Sequence, residues 1–317
     1  MDKDRLDLAV VLTTVYADVF DYPLRPEELQ RYLIGQRASL DEVCEALTCG
    51  RLAREHLNQA GGYITLRGRE ELSAVRKARQ RTAARLWPAA VHYGKILGRL
   101  PFVRMTAVTG ALAVSNVDGR LDLDFLVVTE PGRLWVCRAF GILLVRHAQQ
   151  RNVLLCPNYY LAENRLQIND RSLYTAHELA QMVPVAGMDV YERMRAVNDW
   201  TRALLPNALG APEVGVIQAS NGRHSTSGRG LLRSAVETGL RAPAVDRLER
   251  WEMERKIRKF NNQPGDRAEV NFGADWCKGH FDGHGRRALA AFEARVERLG
   301  LAQEAEHLLQ GALEGMP

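Results

Sequence analysis

Two aspartates, Asp122 and Asp124, stand two residues apart in the run Leu121-Asp122-Leu123-Asp124-Phe125-Leu126-Val127-Val128. On a β-strand such positions project from one face, so both carboxylates can reach the same cation. Acids this close repel one another unless cations or hydrogen bonds compensate. Mg²⁺ or Mn²⁺, which favour carboxylate and phosphate oxygens, would satisfy them. The apolar run after Asp124 predicts a strand buried on both faces, with the Asp pair near its start. Taken alone, the pair would equally suit a solvated strand end.

Twelve positions before Asp122 stands Gly110, between the β-like Val108-Thr109 and the helix-forming Ala111-Leu112-Ala113-Val114. A strand-Gly-helix turn exposes backbone N–H groups, and these donors, with the positive end of a helix dipole, can hold phosphate. The text Val108-Thr109-Gly110-Ala111-Leu112-Ala113, followed by Asp118-Gly119-Arg120-Leu121-Asp122-Leu123-Asp124 and its apolar strand, resembles the nucleotidyltransferase superfamily that includes DNA polymerase beta and the minimal bacterial nucleotidyltransferases. The signature of that superfamily is Gly-Ser, a spacer, then Asp-x-Asp. The resemblance covers residues 100–165.

The resemblance implies transfer of a nucleoside monophosphate from an NTP to an acceptor hydroxyl or similar group, under divalent-metal catalysis with Mg²⁺ or Mn²⁺. Asp122 and Asp124 would bind metal, and Gly110 would bind phosphate with help from Thr109, Ala111 and Ser115. Two positions depart from the pattern. The family serine is Ala111 here, and the strand expected to carry a third carboxylate, Leu155-Cys156-Pro157-Asn158-Tyr159-Tyr160-Leu161, offers Asn158. An amide cannot act as a base. Another acid, Glu163, Asp170 or one from the C-terminal part, would have to substitute, and Asp170, just beyond that strand, is the one expected here. The alternative is a catalytically degenerate nucleotide-binding regulator.

Two polar clusters lie outside the motif. In 170–179, His177-Glu178 could serve acid–base chemistry, or simply flank a helix. In 276–287, Lys278 is a candidate phosphate or substrate contact. His280 and His284 have metal-ligand spacing, but Gly283 and Gly285 argue against the helix that would align them.

These residues need a scaffold, and helical periodicity, caps and turns supply its outline. Residues 6–19, 26 onward and 43–48 read as helices, the last opened by the capping box Ser39-Leu40-Asp41-Glu42. Strands at 52–57 and 63–66 would complete a winged-helix-like module over 1–68. A helical linker follows at 69–100, broken at Pro88. The nucleotidyltransferase-like core spans 101–206, with helix throughout 172–205 apart from breaks at Pro184 and Gly187. A flexible loop at 207–230 and a mainly helical domain at 231–317 complete the chain. The expected class is α+β, a mixed sheet flanked by helices.

Length and composition set the bounds. At 317 residues the chain can bury more than one core. Five cysteines without a C-x-x-C pair argue against a disulfide framework or zinc ribbon and for reduced thiols. The acidic start and the lack of a long apolar run predict a cytoplasmic protein with no membrane partner. A net charge of +5 is compatible with phosphate-bearing ligands such as an NTP. Sequence-specific DNA is disfavoured as a partner, because the candidate recognition helix carries Asp41, Glu42 and Glu45 and no Lys or Arg. That module is expected to contact protein instead.

Overall fold

A computed structural model of the chain describes residues 3–119, 121–214, 227–261, 271–278 and 283–314. Its first helix, α1 (Lys3–Asp18), is buried on all sides from Leu6 onward. A helix apolar around its whole circumference has to be enclosed by others. α2 (Pro26–Arg31) and α3 (Leu40–Cys49) pack round it. The expected capping box opens α3: Ser39 Oγ accepts from Glu42 N at 3.3 Å, and Ser39 N donates to the Glu42 carboxylate at 2.7 Å.

Residues 52–57, expected as a strand, belong mostly to a fourth helix, α4 (Arg51–His56). Its first N–H groups need acceptors. The buried Asp7 carboxylate on α1 supplies them, accepting from Leu52 N at 2.7 Å and Ala53 N at 2.9 Å. The hairpin therefore comes one element later, as β1 (Leu57–Ala60) and β2 (Tyr63–Leu66). Gly61 and Gly62 join them at φ of 60° and 86°, the positive pair that a two-residue hairpin turn favours.

The expected linker is a structural layer. α5 (Leu72–Arg99) runs unbroken through Pro88. Proline removes the bond to the carbonyl of Ala84, but Ala84 is exposed and water can take that acceptor. Trp87, Val91 and Leu97 on α5 enter the core beneath the sheet.

The main sheet has the order β6-β3-β4-β5-β8-β7. Its strands are β3 (Val103–Val108), β4 (Asp122–Thr129), β5 (Leu154–Ala162), β6 (Val183–Ala186), β7 (Asn271–Phe272) and β8 (Trp276–Lys278). β4 and β5 run parallel, and every other pair is antiparallel. The parallel pair is bridged by α7 (Leu134–Gln149), and the short α6 (Gly110–Ala113) links β3 to β4. Where the sequence predicts helix broken at Pro184 and Gly187, the break at Pro184 is a strand: β6 separates α8 (Leu173–Gln181) from α9 (Met188–Val197) and α10 (Thr201–Leu204). Pro184 is tolerated because β6 is an edge strand.

Along β4, side chains alternate between two cores. Leu126 and Val128 join the cluster built on α1 and α8, whereas Leu123, Phe125 and Val127 join the one built on α5 and α7. Asp122 and Asp124 share the parity of Leu126, so the pair faces the α1 and α8 side.

Among the described residues the remaining helices are α11 (Ser227–Gly239), α12 (Pro243–Asn261), α13 (His284–Arg298) and α14 (Ala302–Glu314). They do not form the separate core expected for 231–317. Phe292 of α13 and Leu308 of α14 complete the α1 cluster. Glu249 of α12 caps α7, accepting from Trp135 N and Val136 N at 2.7 Å each. Of the expected loop 207–230, residues 227–230 are helical and 215–226 lie outside the described residues. Among the described residues no helix is long and apolar enough to cross a membrane.

Candidate active site

The chain leaves β3 at Val108, paired with Phe125 of β4, and Thr109 N donates to the Asp124 carbonyl at 3.1 Å. Gly110 then turns it at φ 65°. A Cβ at this position would come within 2.9 Å of Asp124 Oδ2, so the turn closes directly over that carboxylate and glycine is what admits it. α6 is a single turn, too short for the dipole the sequence reading invoked. What the turn offers phosphate is its exposed backbone.

Parallel pairing sets Cys156 of β5 opposite Asp124, and the register slips just beyond, where Asn158 stands. Oxygen and sulfur atoms of Asp122, Asp124 and Cys156 lie within 4.8 Å of one another. Asn158 Nδ2 donates to Asp124 Oδ1 at 2.7 Å. Burial, then the neighbouring Asp122 charge, push Asp124 up to about 7, against a hydrogen bond from Cys156 that lowers it. The Cys156 thiol is itself pushed up to about 12 by burial and the two aspartates. The two carboxylates offer the oxygen donors that a hard divalent ion would take, with the thiol beside them as a third possible ligand.

Asp170 lines a cavity that Thr109 and Asn158 also line, yet both its oxygens are engaged. Oδ1 accepts from Ser172 N at 3.2 Å and Oδ2 from Thr175 Oγ1 at 2.6 Å. This network starts α8. Glu178, one helical turn further on, lines the same cavity, and its carboxylate accepts no hydrogen bond from the described residues. Burial raises its pKa and the charge of Lys278 lowers it. Its own charge helps to raise Asp124. A carboxylate with no hydrogen bond from the described residues thus lies in the field of Asp124 from a helix rather than from the neighbouring strand. The sequence signal was only a polar His177-Glu178 pair.

His177 is no base for this site. Burial pushes it down to about 4, its Nδ1 bonds the Leu173 carbonyl at 2.9 Å, and its ring stacks on Tyr16 with centroids 4.0 Å apart. Lys278 lies on β8 opposite Tyr159 and lines the cavity shared by Glu178 and Asp170. Ser115 follows α6 at φ 55°, with its carbonyl bound by Arg76 at 3.0 Å. Arg76, fully buried, also bonds the Val114 carbonyl and the Tyr22 hydroxyl and pairs with Glu28 at 2.6 Å. It fastens the Gly110 turn to the N-terminal helices. His284 opens α13 and contacts Arg287 at 3.2 Å, and His280 lies outside the described residues.

No family model, curated protein or solved structure matches this chain.

Proposed function

We propose that the chain is a nucleotidyltransferase, moving a nucleoside monophosphate from an NTP to an acceptor hydroxyl or similar group. Its sheet is then a nucleotidyltransferase-like core, and the helices and hairpin of residues 1–68 are a winged-helix-like module that contacts protein. The observation that carries this reading is the closure of the Gly110 turn over the paired carboxylates of Asp122 and Asp124.

Asp122 and Asp124 would hold Mg²⁺ or Mn²⁺, which when bound supplies Lewis-acid stabilisation of phosphate charge. The exposed backbone of Gly110 and Ala111 is placed to orient phosphate oxygens, with Lys278 as a further cation. Glu178 is the unengaged carboxylate on the same face, suited to receive the acceptor's proton; Asp170 fixes the start of its helix.

A specific contact favours a second reading, a degenerate nucleotide-binding regulator. Asn158 supplies an amide where the resemblance implies a third acid, and that amide is bonded to Asp124. General-base help is typically worth about 10²- to 10⁴-fold, so its loss from β5 need not abolish transfer. The assay is α-labelled NTP with Mg²⁺, protein and cell extract, comparing wild type with Asp124→Asn, Asp170→Asn and Glu178→Gln. Transfer lost in Asp124→Asn and much slowed in Glu178→Gln supports the enzyme. NTP binding without transfer under any condition supports the regulator.

A further inference from the structure

Beside the Gly110 turn, a cavity of about 200 Å³ opens between α1 and α8, with Gly110 and Ala111 at one wall. Tyr16, Phe20, Tyr22, Tyr32 and Tyr174 bring aromatic rings to its lining, which contains neither Lys nor Arg. An apolar cavity of about 150 Å³ admits benzene, so this one holds a single ring with a short substituent.

Tyr16 and His177, each 4% exposed, bring polar atoms to this wall, and among the described residues the bond made by the His177 ring is the one from Nδ1 to the Leu173 carbonyl. With Nδ1 bonded to the Leu173 carbonyl as donor, neutral His177 presents Nε2 as an acceptor. Glu178 adds an acceptor-only carboxylate when ionised, and no ion pair with a described residue occupies it. The wall is rich in acceptors and π faces and carries no positive charge. A ligand that complements it brings donors, a positive charge and an apolar body.

We propose that this cavity is a binding site for a compact organic amine, a protonated amino group carried on an apolar body about one aromatic ring in size, with Glu178 facing the amine. The aromatic side chains enclose the body, and His177 Nε2 and the Tyr16 hydroxyl take the remaining N–H donors. The cavity borders the same turn as the Asp pair, so in the proposed transfer the amine is the acceptor once it has given a proton to Glu178: its nitrogen bonds the α-phosphorus of the NTP and pyrophosphate leaves. That last assignment rests on the nucleotidyltransferase reading, whereas the binding site does not.

The test is calorimetric and NMR titration of the full chain, without nucleotide or divalent ion, using phenethylamine and its neutral counterpart phenethyl alcohol. Phenethylamine should bind at least roughly tenfold more tightly, the margin expected of a partly desolvated cation on π faces and a carboxylate. Glu178→Gln should erase that preference, and Tyr16→Leu, which keeps bulk but loses the ring, should weaken phenethylamine binding. Asp124→Asn should bind phenethylamine as wild type does while losing Mg²⁺-dependent nucleotide binding, which separates this site from the metal site. Circular dichroism checks that each variant folds. Equal binding of amine and alcohol, a preference that persists in Glu178→Gln, or no binding at millimolar ligand would each overturn the proposal.

Discussion

Asn158 Nδ2 donates to Asp124 Oδ1 at 2.7 Å, holding an amide against the carboxylate that lies under the Gly110 turn. Burial of Asp124 and the charge of Asp122 still push that carboxyl up to about 7 from 3.8, and the hydrogen bond from Cys156 offsets only part of the cost. In the proposed function a bound cation would supply the rest.

A raised carboxyl pKa has a definite pH signature. The folded state holds this proton more tightly than the unfolded state does. The resulting stability is fully present below the unfolded value of 3.8 and is lost as pH rises through about 7. In EDTA, Asp124→Asn should therefore gain melting temperature over wild type as pH goes from about 5 to about 8. Mg²⁺ with NTP should narrow that gap by stabilising only wild type. Thermal melts at several pH values with the same wild-type-to-variant difference throughout would refute the burial argument.

Asn158→Asp places a third acid against the pair. Without metal the like charges should lower the melting temperature, and with Mn²⁺ they should raise affinity. Melting in EDTA and in Mn²⁺ checks both signs, and no change in either would show that this position does not share the field of Asp124.

Gly110→Ala puts a side chain at φ 65°, with its Cβ 2.9 Å from Asp124 Oδ2. The left-handed backbone alone costs about 1–2 kcal/mol. Displacing the carboxylate should also weaken Mg²⁺-dependent nucleotide binding by roughly tenfold or more, about 1.4 kcal/mol. Wild-type stability and affinity in this variant would show that the turn and the carboxylate do not constrain each other.

Arg76→Met removes the buried cation that joins Glu28 and Tyr22 to the Val114 and Ser115 carbonyls. Methionine fills much of the volume but leaves the half-buried Glu28 and the two carbonyls without their donor. Breaking such a pair costs roughly 3 kcal/mol. Urea denaturation should show a lower midpoint with an unchanged slope, and a shift of less than about 0.5 kcal/mol would contradict the fastening role.

The parts of this fold that were legible in the sequence are those set by local chemistry. The Ser39 and Glu42 capping box, the strand at 63–66 and the alternation along β4 each depend on residues a few positions apart. What was not legible depends on distant partners. α4 forms where a strand was expected because Asp7, 45 residues from Leu52, caps it. Apolar residues 183–186 became strand because β3 offered an open edge, and Trp276-Cys277-Lys278 became β8 beside β5. In the candidate site, the Asp pair and the glycine were visible as a spacing. Glu178 was not, because its place follows from the tertiary packing of α8, where the neighbouring His177 stacks on Tyr16 of α1.

The central claim is that Asp122 and Asp124 form a divalent-metal site for nucleotide chemistry, and Mn²⁺ electron paramagnetic resonance with NTP tests it most directly. Wild type should deplete the free Mn²⁺ signal, more so with NTP present, and Asp122→Asn/Asp124→Asn should leave the signal as in a protein-free NTP control. Equal Mn²⁺ binding by wild type and the folded double variant, or none by either, would contradict the account.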